Sequence, residues 1–440
     1  MNDFTTATSQ RQATRLDEIG GRYDAWLIGV ACVLACLGVV MVGSASIAIA
    51  EGRDAGPFHY LVRHLVFLGF GVALAYAAMR TEMKTIEQYA QWFPLVCLLL
   101  LVLVVVPGIG VTAKGARRWL NLGLLTFQPV EAVKLMLIVW LSSFLARFRD
   151  EVSATWRAMI KALGVAGALV GILLVIHKDF GSSALILAIT AGMLVLGGVN
   201  LPRMLLPVLC VLPLLAGMIL MEPYRVQRLV SYRDPWADPF GSGYQLTNAL
   251  MAVGRGEWFG VGLGASVQKL SYLPEAHTDF ILAVIAEELG FVGVFAIIAL
   301  YAALAGRAFW IGLKCVEMRR HFAGYVAFGI ALWMSLQSFV SIGVNLGLLP
   351  TKGLTLPLIS SGGSSVLLTC AALGVLLRVS FELDRAQRQV ARLRGEAAMP
   401  AAAMPATTQP LPVVTAEARG TSRLRQRVEP VFDKAFGRTA

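Results

Sequence analysis

The run Leu273-Pro274-Glu275-Ala276-His277-Thr278-Asp279-Phe280 ends on a carboxylate placed just before a long apolar stretch. There Asp279 is either a helix N-terminal acid, favoured by the positive end of the dipole, or a general base at the mouth of a membrane span. Glu275 and His277 flank it as candidate substrate-binding groups. Glu287 and Glu288 follow about 12–14 Å further along if the stretch is helical, deep enough in the membrane that each needs a partner. Lys134 lies well inside another apolar run, just past Glu131. An ion pair of Lys134 with Glu287 or Glu288 is therefore expected, as a structural staple rather than a proton relay. Lys114, Arg117 and Arg118 form a cluster suited to neutralising a phosphate or pyrophosphate. The six cysteines show no CxxC spacing and no paired His, so neither a zinc site nor a disulfide framework is expected, and no metal ligands are assigned.

These groups must be positioned by a strongly apolar chain. Of 440 residues, 57% are hydrophobic and 15% charged, against roughly 25% charged in a soluble domain. A hydrocarbon core about 30 Å thick is crossed by ~20 apolar residues. Ten such stretches occur, at 25–46, 60–79, 89–107, 130–147, 159–176, 180–199, 203–221, 279–304, 322–344 and 363–379. The expected fold class is all-α, a polytopic integral membrane protein with about ten transmembrane helices. A signal peptide is the rival for the first run, with Ala48-Ile49-Ala50 behind it, but that run is too long for a signal h-region and follows a polar segment.

Ten spans leave both termini on one side. Lys and Arg fill alternate loops, from Arg80 and Lys84 through Arg147, Arg149, Arg157 and Lys161 to Arg319 and Arg320, which makes those loops cytoplasmic. The net charge of +11 is thus carried between spans and implies no nucleic acid. Residues 1–24 read as a cytoplasmic N-terminal segment, 25–380 as the membrane domain, and 381–440 as a cytoplasmic, largely disordered basic tail. The outer loops break the charge rule: Lys114, Arg117 and Arg118 lie in one, and Arg225, Arg228, Arg233, Arg255 and Lys269 in another. That violation points to an anionic ligand. The second of these loops, 222–278, is long enough to be functional in its own right.

Within it, residues 244–253 have apolar positions at helical spacing and are expected to form a short helix, either interfacial or simply packed. Gly254, Gly256, Gly260, Gly262 and Gly264 lack the preceding strand and the GK[ST] of a nucleotide site. They suggest a re-entrant or tightly turned segment that lets a ligand approach the backbone. Ser360-Ser361-Gly362-Gly363-Ser364-Ser365 likewise lacks GxSxG. Ala283, Ala286 and Gly290 fall within ~40° of Asp279 on a helix, a groove of small residues that could take a lipid chain or a neighbouring helix.

Five segments then stand out together: KGARRW at 114–119, QPVEAVK at 128–134, Asp179-Phe180-Gly181, the whole stretch 234–290, and GLLPTKGLTLPLISSGGS at 347–364. They resemble the SEDS family (shape, elongation, division and sporulation), and GASVQKLSYLPEAHTDF resembles the wording of its division branch. The resemblance extends from about residue 25 to 380, across all ten spans. Two departures are His177-Lys178-Asp179, where members commonly have Gln-Pro-Asp, and Val130, often Ser or Ala.

The resemblance implies a peptidoglycan glycosyltransferase that polymerises lipid II, a disaccharide-pentapeptide on undecaprenyl pyrophosphate, at the outer face of the bacterial cytoplasmic (inner) membrane and at the division septum. By the motif match Asp279 corresponds to the family's catalytic aspartate, expected to act as general base on the acceptor 4-hydroxyl. Arg118, Arg117, Lys114 and Lys352 are the expected pyrophosphate-binding groups, in that order. A divalent cation could share that work; no other cofactor is implied. The implied partners are a class B penicillin-binding protein that supplies the transpeptidase, and divisome membrane proteins such as FtsQ, FtsL, FtsB and FtsN. Two other functions fit ten spans and a lipid-linked substrate. One is a lipid II flippase, which needs access from both faces and usually a midplane site; the other is a non-catalytic scaffold for the transpeptidase.

Overall fold

The computed structural model describes residues 20–51, 56–113, 116–121, 123, 126–270 and 272–398. Lys114, the segment before residue 20 and the tail after residue 398 lie outside the described residues.

An apolar run in hydrocarbon must satisfy its own backbone, which in a single segment means a helix. The chain folds accordingly into α1 (Ala25–Glu51), α2 (His59–Arg80), α3 (Met83–Ala90), α4 (Phe93–Leu103), α5 (Pro129–Arg147), α6 (Arg149–Ala154), α7 (Trp156–Val175), α8 (Phe180–Leu196), α9 (Leu201–Leu220), α10 (Pro223–Arg233), α11 (Tyr244–Gly256), α12 (Ile281–Glu317), α13 (His321–Asn345) and α14 (Gly363–Ala398). Among the described residues eight of these are long and apolar enough to cross a membrane, or nine if the bent pair α3–α4 is one span. With the shorter apolar helix α8, an apolar helix or bent helix pair falls on each of the ten expected stretches, and the protein is a multi-pass membrane protein.

The third span differs from its expected form. Helix begins at Met83 rather than 89 and bends by 67° between α3 and α4, because Pro94 opens α4 and cannot donate to the turn before it. The short links flanking α8 are real turns. Lys178 takes φ +52° and Gly198 φ +97°, so proline, locked near −65°, could not occupy position 178 in this conformation. The side chain of Asp179 then caps α8 by accepting from the Ser182 N–H at 3.2 Å.

Helices α5, α12, α13 and α14 form the centre, with Trp333, Ile138, Leu141 and Leu145 fully buried. Helix α9 is almost wholly exposed, as a lipid-facing helix is, and contains Pro207 and Pro213. All six cysteines are free; Cys97, Cys315 and Cys370 are buried, and Cys32, Cys36 and Cys210 are exposed.

Two features depart from a plain helical bundle. A three-stranded antiparallel sheet, β1 (Gly110–Ala113), β2 (Ala116–Asn121) and β3 (Thr126–Phe127), joins α4 to α5. Its strands are too short to leave a periodic signal, and a register irregularity falls between Val111 and Thr112. The second feature is a break in α12 at Gly290, where φ is +66°. Segment 257–262 fills the break. Val261 and Gly262 donate to the carbonyls of Glu287 and Glu288 at 2.9 and 3.1 Å, while Phe291 and Val292 donate to Glu257 and Trp258 at 2.9 and 3.1 Å.

Two glycines of the long loop, Gly256 and Gly260, serve this contact. A Cβ on Gly256 would collide with the Ala286 carbonyl, and one on Gly260 with the Glu288 carbonyl. What these two bring close is the backbone of α12, and beside Ala286 and Gly290 the expected groove is filled by the chain itself. Helix α11 buries Leu246, Ala249 and Ala252 against α12, so the packed reading of 244–253 holds.

Candidate active site

Asp279 owes its position to two clamps. Before it, the chain turns tightly: Glu275 takes φ +58°, its carbonyl accepts from the N–H groups of Thr278 and Phe280 at 3.1 and 3.3 Å, and its carboxylate accepts from the Thr278 hydroxyl at 3.0 Å. After it, α12 begins with N–H groups that have no partner in their own helix. Buried Asn345, at the end of α13, braces this turn: its Oδ1 accepts from Ala283 N–H at 3.1 Å, an N–H shared with the Phe280 carbonyl, and its Nδ2 donates to the Asp279 carbonyl at 3.0 Å. Asp279 thus sits at the positive end of a helix whose first turn is capped from another helix. Asn345 is a functional candidate that sequence reasoning missed, since nothing local ties it to a residue 66 positions away.

The loop between α13 and α14 closes over Asp279. The Ser361 N–H donates to the His277 carbonyl at 2.9 Å. A Cβ at Gly353 would lie 2.9 Å from Asp279 Oδ2, so only glycine leaves the carboxylate room there. The loop is held from below by Gln337, which donates to the Thr355 carbonyl at 2.9 Å and accepts from Lys134 Nζ at 2.8 Å and from Trp333 Nε1 at 2.7 Å.

This arrangement corrects the expected ion pair. Lys134 bonds Glu131, three residues back on α5, at 2.8 Å, and reaches neither Glu287 nor Glu288. Those two are taken by the long loop. Glu287 accepts from Arg255 Nη1 at 2.8 Å, Ser266 Oγ at 2.5 Å and Val267 N at 3.0 Å; Glu288 pairs with Lys269 Nζ and accepts from Ser44 Oγ, both at 2.7 Å. The expectation failed because it looked for a cation inside a span, whereas the loop folds back and brings its own.

Glu275, His277 and Asp279 line one cavity of about 900 Å³ together with Arg118 and Lys352. Alternation along β2 separates the two arginines. Arg118 reaches the cavity and donates to the carbonyls of His177 and Lys178, each at 2.9 Å. Arg117 turns the other way, to Thr112 Oγ1 and the Val105 carbonyl at 3.3 and 3.1 Å, and is outside the cavity lining. It clamps the hairpin and is not among the groups the fold brings together. Lys114 lies outside the described residues.

Arg225 and Arg228 join the cavity from α10. Their spacing of three puts them on one face, the signal that could have promoted them from charge-rule violators to candidates. Phe180 organises the cluster, with Lys352 Nζ 4.3 Å and Arg225 Cζ 5.7 Å from its ring centroid. Arg228 donates to the Thr351 carbonyl at 3.1 Å and stacks on Tyr224 at 4.5 Å. Among the described residues none of Arg118, Arg225, Arg228 and Lys352 forms an ion pair with a carboxylate. Burial, and then the charges of Arg228 and Arg225, bring the Lys352 ammonium down to about 8 from its usual 10.5, with Asp179 pulling the other way. Burial likewise lowers His177, which donates to the Leu101 carbonyl. Such a cavity can hold a diphosphate among fixed cations and set a carboxylate at the reacting sugar. Among the described residues no three His, Cys, Asp or Glu side chains gather where a metal ion could be held.

A family model described as a cell cycle protein, FtsW/RodA/SpoVE, matches residues 24–385. The chain is 58% identical to a protein of Xanthomonas oryzae named "Probable peptidoglycan glycosyltransferase FtsW", over 99% of this chain and 94% of the relative. A Coxiella burnetii protein of the same name is 46% identical over 83% of this chain and 98% of its own. Among solved structures the fold is similar, at TM-score 0.68 and 30% identity, to a chain from work described as "Structural coordination of polymerization and crosslinking by a peptidoglycan synthase complex", covering 82% of this chain and 98% of that one. It is also similar to the rod shape determining protein RodA of Thermus thermophilus, at TM-score 0.59 and 28% identity, over 81% of this chain and 96% of that one.

Proposed function

The chain belongs to the FtsW/RodA/SpoVE family of cell cycle proteins, and from that premise we propose a peptidoglycan glycosyltransferase of septal wall synthesis that polymerises lipid II, with Asp279 as its general base. The observation that carries this reading is one cavity that holds a carboxylate at a helix mouth and five cations, Arg63, Arg118, Arg225, Arg228 and Lys352, without carboxylate partners among the described residues.

The reaction follows from these groups. The acceptor's 4-hydroxyl gives its proton to Asp279 as its oxygen bonds the anomeric carbon of the donor sugar. The bond from that carbon to the pyrophosphate oxygen breaks, and undecaprenyl pyrophosphate leaves with the electron pair. Lys352, Arg118, Arg225 and Arg228 stabilise the charge that develops on it. Fixed cations of this kind cost no reorganisation during the reaction. Glu275 and His277 bound the site beside the base.

Lys and Arg in alternate loops support a placement in the bacterial inner membrane with the cavity facing outward and both termini cytoplasmic. The similarity to a chain from a peptidoglycan synthase complex that coordinates polymerization and crosslinking supports a crosslinking partner, in this reading a class B penicillin-binding protein; the septum, and FtsQ, FtsL, FtsB and FtsN as further partners, belong to the same reading through the FtsW relatives. The flippase reading is weaker, because Glu131, Lys134, Glu287 and Glu288 are each paired within the protein and are not among the residues that line the cavity.

The test is polymerisation of labelled lipid II by the purified protein with its cognate transpeptidase partner, whose own active site is blocked. Wild type should make glycan and a folded, partner-bound Asp279→Asn should make none. No glycan from wild type, beside a working control polymerase, would overturn the reading; glycan from both would move the base elsewhere.

A further inference from the structure

Helix α2 presents Tyr60, His64, Phe67 and Gly71 on one stripe, at intervals of four, three and four residues. The stripe is pinned at both ends. The Tyr60 ring packs on the His277 ring with centroids 4.6 Å apart. At the other end α2 meets α14 so closely that a Cβ on Gly363 would lie 2.5 Å from the Phe67 ring, and one on Gly71 would lie 3.0 Å from Cys370 Sγ.

Between these anchors sits His64. It is 2% exposed and lines the cavity, and neither Nδ1 nor Nε2 has a hydrogen-bond partner among the described residues. Two unpaired ring nitrogens in one buried side chain are destabilising for the protein alone. A histidine held there by packing, unable to turn outward, fits a group that meets its partner when the cavity is filled.

The chemistry of that partner follows from the imidazole. A neutral ring offers one donor and one acceptor. Phosphate oxygens only accept, and would leave one nitrogen unsatisfied; a sugar hydroxyl or an acetamido group both donates and accepts. The cations read above as binding the pyrophosphate come from β2, α10 and the loop before α14; the cation of this stretch of α2, Arg63, also lines the cavity and donates to Thr126 Oγ1 at 3.0 Å. We propose that His64 is a saccharide-binding residue, hydrogen-bonding a hydroxyl or acetamido group of the disaccharide bound in this cavity, with α2 forming the sugar-facing wall. This rests on the reading of the cavity as the lipid II site.

The full chain in nanodiscs separates the possibilities. Affinities for lipid II and for undecaprenyl pyrophosphate, which carries no sugar, are measured with wild type, His64→Leu and His64→Gln, alongside thermal unfolding. His64→Leu should bind lipid II roughly tenfold more weakly, the change worth one neutral hydrogen bond, and bind undecaprenyl pyrophosphate as wild type does. Its unfolding temperature should not fall, because the change removes an unpaired polar group. His64→Gln, which keeps a donor and an acceptor, should recover most of the affinity. Unchanged lipid II affinity in His64→Leu would overturn the proposal and leave water as the partner of His64. A lower unfolding temperature with loss of both lipids would overturn it in favour of a packing role. Wild type that binds undecaprenyl pyrophosphate no less tightly than lipid II would overturn the saccharide contact alone, and wild type that binds neither would overturn the lipid II reading of the cavity as well.

Discussion

Asn345 and Asp279 are joined by a 3.0 Å hydrogen bond from the Asn345 amide to the Asp279 carbonyl, while the same amide's oxygen accepts from Ala283 N–H. One side chain from α13 thus sets both the start of α12 and the place of the carboxylate that precedes it. Asn345→Ala should cost about 1–2 kcal/mol, the worth of a helix cap, read as a lower unfolding temperature. It should also lower kcat more than it raises KM, because the base is displaced and the cation cluster is not. A lower unfolding temperature with unchanged kinetics would make Asn345 purely structural.

Gly353 leaves room for the Asp279 carboxylate, its absent Cβ falling 2.9 Å from Oδ2. Gly353 is solvent-exposed, so Gly353→Ala should unfold at the wild-type temperature yet polymerise lipid II at least about tenfold more slowly, as a misplaced base predicts. Single-turnover kinetics would read this directly. Wild-type turnover would show that the carboxylate tolerates the shift.

Lys352 titrates near 8 in the folded protein and at 10.5 ordinarily. The charged form binds pyrophosphate, so affinity for undecaprenyl pyrophosphate should weaken as pH rises through about 8. Lys352→Arg should remove that step, since a guanidinium stays charged. Folding strips a proton from Lys352 between these two values, so its contribution favours the fold at high pH and is lost as pH falls through about 8. A flat binding profile in wild type would mean that Lys352 does not contact the pyrophosphate.

Glu288 and Lys269 face each other at 2.7 Å in a buried setting. Glu288→Gln leaves a buried cation without its counter-charge and should destabilise the protein by about 3–5 kcal/mol. Combining Glu288→Leu with Lys269→Met should recover most of that loss, because a buried pair is replaced by apolar groups. Equal unfolding temperatures for the single and double variants would show that the pair is not what holds the loop against α12.

Much of this molecule is local and therefore legible along the chain. Helices fall on all ten apolar runs because satisfying the backbone in hydrocarbon is a constraint on each segment separately. Asp279, Glu275 and His277 stand together in sequence and remain together in the cavity. Alternating loop charge and the basic outer loops pointed to an anion, and Arg118 and Lys352 do line the cavity. What the chain alone did not reveal depends on pairs far apart. Lys134 found Glu131 and Gln337 instead of Glu287 or Glu288. Arg117 and Arg118, adjacent in sequence, point opposite ways because an unforeseen strand alternates its side chains. Gly256 and Gly260 of the loop face the broken α12. Hydropathy and helix period state which segments are buried and in what form. Which buried carboxylate meets which cation is decided only when a loop folds back to the break at Gly290, since that contact depends on the relative placement of backbones 30 residues apart.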